Sequence, residues 1–250
     1  MDFFLLLVAT GLVSGALHPS FWPLLAVTIP LAILIGLTLE RIFIRPMLWE
    51  PLFSIVMVTI GLAVILRGAT IMIWGPDPLN FPAGLSRDVI LIGPRPFYAA
   101  QLYAIGSLGV LVACTYAFLR FARMGLAMRA VAANESAALL MGVSVERVHA
   151  VAWGLSSAIA AVAGTLFAAN FKLAPDMWFQ GLRSFPALIL GGLDSVVGAA
   201  VGGLVIGVIE NLSQGYLGQG LREIAGFVVI VLVLMVRPDG FFGQREIERV

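Results

Sequence analysis

The chain has 250 residues, of which 60% are hydrophobic and 12% charged, with 15 basic and 14 acidic side chains and a formal net charge of +1. A soluble domain carries roughly 25% charged residues, so this composition, with a mean hydropathy of +1.02, places most of the outer surface against lipid. One lysine, Lys172, and near-neutral charge exclude a broad nucleic-acid-binding face, and one cysteine, Cys114, excludes an intrachain disulfide or a thiol-rich metal cluster.

A bilayer core of about 30 Å takes about 20 apolar residues as helix. In chain order, apolar stretches run over 3–17, 21–38, 52–73, 97–119, 150–171, 184–209 and 222–236. The expected fold is therefore all-α, a polytopic integral membrane helical bundle of about seven hydrophobic segments forming a single transmembrane domain over 1–250. The opening Met1-Asp2-Phe3-Phe4 has no early Lys or Arg, so a cleaved signal peptide is not expected. The first stretch is short for a full span, and His18-Pro19-Ser20 separates it from the second, where Pro23 suits a helix's first turn.

Orientation follows from the placement of Lys and Arg in short loops. Arg41 and Arg45 in 39–51, and Arg120, Arg123, Arg129 and Arg147 in 120–149, put both segments in the cytoplasm. The 74–96 segment, with Pro76, Pro78, Pro82, Pro94 and Pro96, is expected as an ordered external connection rather than a helix. Two simple spans after an external 172–183 loop would then leave the basic 237–250 tail outside. A cytoplasmic tail requires that 184–209 not be a simple span, and Gly191-Gly192-Leu193-Asp194-Ser195 supplies the interruption: a broken or re-entrant helix, buried in protein or reached by water. Asp194 is a candidate cap for the helix that follows, and Glu210 a marker of its end. Gly198 with Gly202, Gly203 with Gly207, Ala160 with Gly164 and Gly11 with Gly15 have the spacing that lets helix backbones approach.

The long 120–149 loop reads as short helices. Asn134 is placed to cap one, Glu135 suits its first turn, Ala137, Ala138, Leu139, Leu140 and Met141 supply an apolar face, and Gly142 stops it; Ser144 is placed to cap another through Val145, Glu146 and Arg147. Such a helix either enters a groove on a soluble partner or lies on membrane lipid. No catalytic residues are expected: His18 and His149 lack a second ligand at metal spacing, no phosphate-binding Gly-x-x-x-x-Gly-Lys loop exists, and Gly-x-Ser-x-Gly is absent. Neither a metal nor a cofactor is called for, and any energy for a driven process has to come from elsewhere. Arg67, inside an apolar stretch, reads as a snorkelling cation. Candidates to line a translocation path are Thr59, Gly61, Asn170, and Gly191, Gly192 and Ser195 at the break.

Taken together, these segments resemble the permease subunit of the branched-chain amino acid ABC transporter family. Glu40-Arg41 with Arg45-Pro46 resembles the family's Glu-Arg and Arg-Pro pair, and Thr59-Ile60-Gly61-Leu62 its Thr-Ile-Gly-Leu helix, closed by Trp74-Gly75. Met128-Arg129-Ala130-Val131-Ala132 with Glu135, Ala137, Ala138 and Gly142 resembles its cytoplasmic Glu-Ala-Ala loop. Phe185 to Gly192, Ser195, Gly198-Ala199, Gly202-Gly203, Gly207 and Glu210 resemble its glycine-rich helix, and Arg237-Pro238-Asp239-Gly240 with Phe242-Gly243 its terminal motif.

The resemblance implies that Glu135, Ala137, Ala138 and Gly142 dock on a cytoplasmic ABC ATPase. It also implies a second related permease subunit, a periplasmic substrate-binding protein, a bacterial inner (plasma) membrane location, and import of branched-chain or other small amino acids. Urea, short amides or sugars are alternative cargo, and an ATP-independent channel is the rival mechanism. Relatives begin with a further helix, so the resemblance implies a start that is short at the N-terminus.

Overall fold

The computed structural model describes residues 21–79, 89–92, 95–218, 221–237 and 240–243. The expected 3–17 segment and the Gly11–Gly15 pair lie outside these residues. In order, the elements are α1 (Phe21–Leu39), a π-turn (Glu40–Ile44) and 3-10 turn (Arg45–Met47), α2 (Leu52–Trp74), β1 (Val89–Ile92), β2 (Arg95–Tyr98), α3 (Ala99–Phe121), α4 (Arg123–Ala133), α5 (Glu135–Leu140), α6 (Val145–Asn170), a 3-10 turn (Pro175–Met177), α7 (Trp178–Arg183), α8 (Phe185–Gly191), α9 (Val196–Leu217) and α10 (Leu221–Val236). Among the described residues five helices are long and apolar enough to cross a membrane, and Ile224–Met235 is a shorter apolar helix. The protein is an all-α polytopic bundle, with one small hairpin among the described residues. The chain divides into two compact units, Met1–Gly109 with Ala117–Trp178, and Val110–Tyr116 with Phe179–Val250.

In the first unit α1 packs on α6. Along α1 the buried positions Leu24, Thr28, Ala32 and Gly36 recur every fourth residue, one above another on a single face. Helices in lipid gain little from hydrophobic exclusion, so close backbone approach has to hold them together. Gly36 provides it: a Cβ there would meet the Ser157 side chain, and the Trp153 carbonyl oxygen at 3.3 Å. Farther along, Ala32 and Ala161 form a buried cluster with Ile35 beside it. The pairing is antiparallel, since Gly36 faces Trp153 and Ser157 while Ala32 faces Ala161. Hydroxyls on these helices donate to carbonyls one turn back, Thr28 Oγ1 to Leu24 and Thr165 Oγ1 to Ala161, both at 2.7 Å, so they enter the interior already paired.

Trp74 ends α2 against a cluster of Ala168, Leu173 and Met177 with Phe167. Leu79 and Leu173 exchange backbone hydrogen bonds of 2.7 and 3.0 Å just beyond. Within the proline-rich connection β1 and β2 pair antiparallel from Val89 with Tyr98 to Ile92 with Arg95. That hairpin is absent from the sequence reading, whereas α3, from Ala99 to Phe121, falls on the expected 97–119 stretch to within two residues at each end. No residue of Gln101–Phe121 on α3 is buried.

In the second unit α8 and α9 form a tight antiparallel helix pair, and α10 packs on both. The expected interruption of 184–209 is present: α8 stops at Gly191, and α9 starts at Val196.

Candidate functional site

Two features stand out, one in each unit. The first is the loop after α3. Asn134, in extended backbone, accepts the Ala137 N–H on its Oδ1 at 2.9 Å and starts α5 as expected. At the other end Gly142 adopts φ +83°. Its N–H donates to Leu139 O at 2.9 Å, and the Val143 N–H donates to Ala138 O at 3.0 Å. This is the paired closure that a left-handed glycine makes at a helix end. A six-residue helix capped at both ends is thus held in a loop that packs on the base of α6. Ala138 is buried, while Leu139, Leu140 and Met141 are 39%, 89% and 84% exposed. Glu135, Ala137, Ala138 and Gly142 are therefore brought together on one rigid element.

The helix expected after Ser144 does begin at Val145, with Ser144 at its N-cap position, but it is not a short one. Val145 continues without interruption to Asn170, and Ser144 makes no side-chain cap hydrogen bond. Glu146 and Arg147 are instead the first turn of a spanning helix, because the apolar face of 150–171 already begins at the buried Val145 and Val148.

The second feature is the break between α8 and α9. Gly192 takes φ +97°, a left-handed conformation open to glycine, and ends α8. Ser195 accepts the Gly198 N–H on Oγ at 2.9 Å and so caps α9. The expected cap, Asp194, lies one residue too early to reach that turn and is exposed. The two helices touch backbone to backbone, since Cβ atoms at Gly191 and Gly198 would each run into the other residue's carbonyl group. A short helix leaves its last carbonyls without donors. Here residues of the tail provide them: Phe241 N–H donates to Leu190 O at 2.9 Å and Phe242 N–H to Gly191 O at 3.1 Å. Gly240, at φ +75°, fits directly against Ile189 and Gly192. Gly191, Gly192 and Ser195 are thus brought together with the tail, a partner that the sequence did not reveal.

The remaining path candidates are dispersed. Thr59 Oγ1 donates to Val56 O at 2.8 Å, and a Cβ on Gly61 would meet nothing within 4 Å. Asn170 Nδ2 donates to Leu166 O at 2.9 Å at the far end of α6. That end shares its cluster with Trp74, and at about 1.5 Å per residue Thr59 lies about 22 Å back along α2. Arg67 does not simply snorkel: its guanidinium lies 5.1 Å from the Trp178 ring centroid, a cation–π pairing. Among the described residues no group of three His, Cys, Asp or Glu side chains gathers at metal-binding distance.

A residue missed as a site is Glu40. It is 3% exposed, and its Oε1 has no hydrogen-bond partner among the described residues. The signal was present, since Glu40 continues the every-fourth-residue stripe of Ala32 and Gly36 and therefore faces inward.

Architecture and composition define a multi-pass membrane protein. Over residues 3–237 the chain matches the family described as branched-chain amino acid transport system / permease component. It is 32% identical to the high-affinity branched-chain amino acid transport system permease protein LivH of Salmonella typhimurium, covering 98% of this chain and 77% of that protein. LivH of Escherichia coli is 31% identical with the same coverage. The corresponding permease BraD of Pseudomonas aeruginosa is 28% identical over 86% of this chain and 72% of its own. No solved structure matches. The chain belongs to the branched-chain amino acid transport permease family.

Proposed function

We propose that the chain is a permease subunit of an ATP-driven importer for branched-chain or other small amino acids in a bacterial inner membrane. The observation that carries this reading is α5: a helix capped at both ends, fixed to the base of a spanning helix, presenting Leu139, Leu140 and Met141 to the surroundings. Exposed apolar side chains on a rigid projection fit a groove on a soluble partner better than free solvent. In this reading Glu135, Ala137, Ala138 and Gly142 form the element that docks on a cytoplasmic ABC ATPase, which supplies the energy this chain has no motif to harvest.

A second permease subunit and a periplasmic binding protein complete the assembly, and the whole chain acts as one transmembrane domain. The α8–α9 reversal supports a cytoplasmic tail, because it adds the change of direction that the charge distribution requires. Thr59, Gly61, Asn170, Gly191, Gly192 and Ser195 remain proposed path residues, with the break as the strongest. Its backbone is non-helical yet closed off by tail and helix contacts, the condition for irregular backbone at membrane depth.

The test is quantitative mass spectrometry of what co-purifies with the tagged chain in mild detergent, beside a Glu135→Lys variant. A stoichiometric ATPase and a second permease, with the ATPase lost from the variant, support the importer. Recovery of the intact chain alone in both samples refutes it in favour of an ATP-independent channel.

A further inference from the structure

The end of α1 is built in an unusual way. After Leu39 the chain makes one π-turn, Glu40–Ile44, in which the Arg45 N–H bonds back to Glu40 O across five residues. At about 3.6 residues per turn Arg45 would lie about 140° round the helix from Glu40. The wider turn instead brings the Arg45 backbone back over the Glu40 carbonyl, in a segment that touches α6. There Arg45 forms an ion pair with Glu146, in the first turn of α6.

Two carboxylates of different character thus belong to the elements that meet at Arg45: Glu146, its ion-pair partner, and Glu40, whose carbonyl accepts its backbone N–H. Glu146 is on the surface, with its side chain 48% exposed and that of Arg45 40% exposed. A pair this open to solvent is weak and easily exchanged. Glu40 belongs to the π-turn itself, is buried, and keeps Oε1 without a donor. A buried acceptor left unfilled is costly and calls for an explanation. The position of Glu146 also matters, because α6 begins just past the Gly142 turn that ends α5, which puts Glu146 on the turn of α6 nearest α5. Glu40 moves with α1.

We infer that Arg45 is a two-position switch, paired with Glu146 in this state and with Glu40 when the base of α6 shifts, so that movement of α5 is relayed to α1. The inference rests on the importer reading for the source of the movement. Coupling needs contacts that differ between states, and the exchange provides them. Arg45 gives up a screened surface partner for an unscreened buried one, filling Oε1 in a charge-assisted hydrogen bond.

The assay is pulsed electron spin resonance on the assembled, membrane-reconstituted protein, with spin labels at the exposed Ile42 and Arg147 in a Cys114→Ser background, with and without trapped nucleotide. Glu40→Gln removes the second partner's charge and is expected to shift the distance distribution toward the Glu146-paired state. Glu146→Gln is expected to shift it the opposite way. Both changes nearly preserve side-chain shape, so folding is retained, and Arg45→Gln is expected to abolish the response to either.

Opposite shifts with a several-fold loss of ATP-driven uptake support the switch. Shifts in the same direction, or distributions and uptake equal to the unsubstituted protein, overturn it. The shifts are readable without nucleotide, so failure of the importer reading, seen as no nucleotide response in the unsubstituted protein, is distinct from failure of the switch.

Discussion

The two successive glycine pairs of α9, Gly198 with Gly202 and Gly203 with Gly207, have the same spacing, yet the structure gives them opposite roles, and this can be measured. A Cβ at Gly202 would collide with the Ala187 carbonyl oxygen of α8 and stand 2.9 Å from the Gly191 nitrogen. The obstacle is backbone, so no side-chain rotation relieves it, and α8 and α9 have to part by on the order of 1 Å to restore ordinary contact. Overpacking of this kind costs about 3 kcal/mol. Alanine returns about 1 kcal/mol over glycine in a helix interior, leaving a net loss of about 2 kcal/mol for Gly202→Ala.

At Gly207 a Cβ would meet nothing within 4 Å, and at Gly203 its nearest neighbour is Ala187 Cβ at 3.9 Å. Alanine there keeps the propensity gain and loses no contact. For a chain of this size about 2 kcal/mol corresponds to about 4–8 °C in Tm. Thermal denaturation in detergent, followed by the fraction remaining monodisperse, is expected to show Gly202→Ala lowered by that amount and Gly203→Ala and Gly207→Ala unchanged or raised. Equal Tm values for Gly202→Ala and Gly207→Ala would refute the assignment of the α8–α9 contact to Gly198 and Gly202.

Two further outcomes follow from the caps. Ser195→Ala removes the Oγ acceptor of the Gly198 N–H and is expected to cost about 1 kcal/mol, while Ser195→Thr keeps the acceptor and the stability; the same denaturation assay compares them, and equal losses for both would show that capping is not the role of this hydroxyl. Gly142→Ala forces a side chain into φ +83° and is expected to cost about 1–2 kcal/mol locally. Hydrogen exchange of the 135–143 amides should accelerate several-fold while the amides of α6 stay unchanged.

What could be read beforehand was whatever the chain writes in local chemistry. Spans were legible because lipid demands long apolar runs, and the interruption after Gly191 because two glycines, an aspartate and a serine in succession cannot continue a helix comfortably. Asn134 and Gly142 were legible for the same reason: each acts on its own neighbours. Where the outcome depended on a single residue of register, local chemistry was not enough. Asp194 and Ser195 are both good caps, and only the geometry of the reversal selects the second. Ser144 stands at the start of α6, but its side chain makes no cap hydrogen bond, and the buried face begun by Val145 and Val148 carries the helix on into a full span.

The features that escaped entirely are those in which distant segments complete one another. Nothing in the composition of 240–243 marks it as the donor set for the last carbonyls of α8. Nothing in Glu40–Ile44 announces a π-turn, since its register differs from an ordinary helix by one residue and leaves no compositional trace. The stripe of Leu24, Thr28, Ala32 and Gly36 does contain Glu40 at the next step, however, and a carboxylate continuing a buried stripe is costly in lipid unless it has a partner or a task. That cost turns an ordinary helix end into a place where two states can differ, and it makes the junction of α1 and α6 a more informative target for substitution than the dispersed polar residues of the spans.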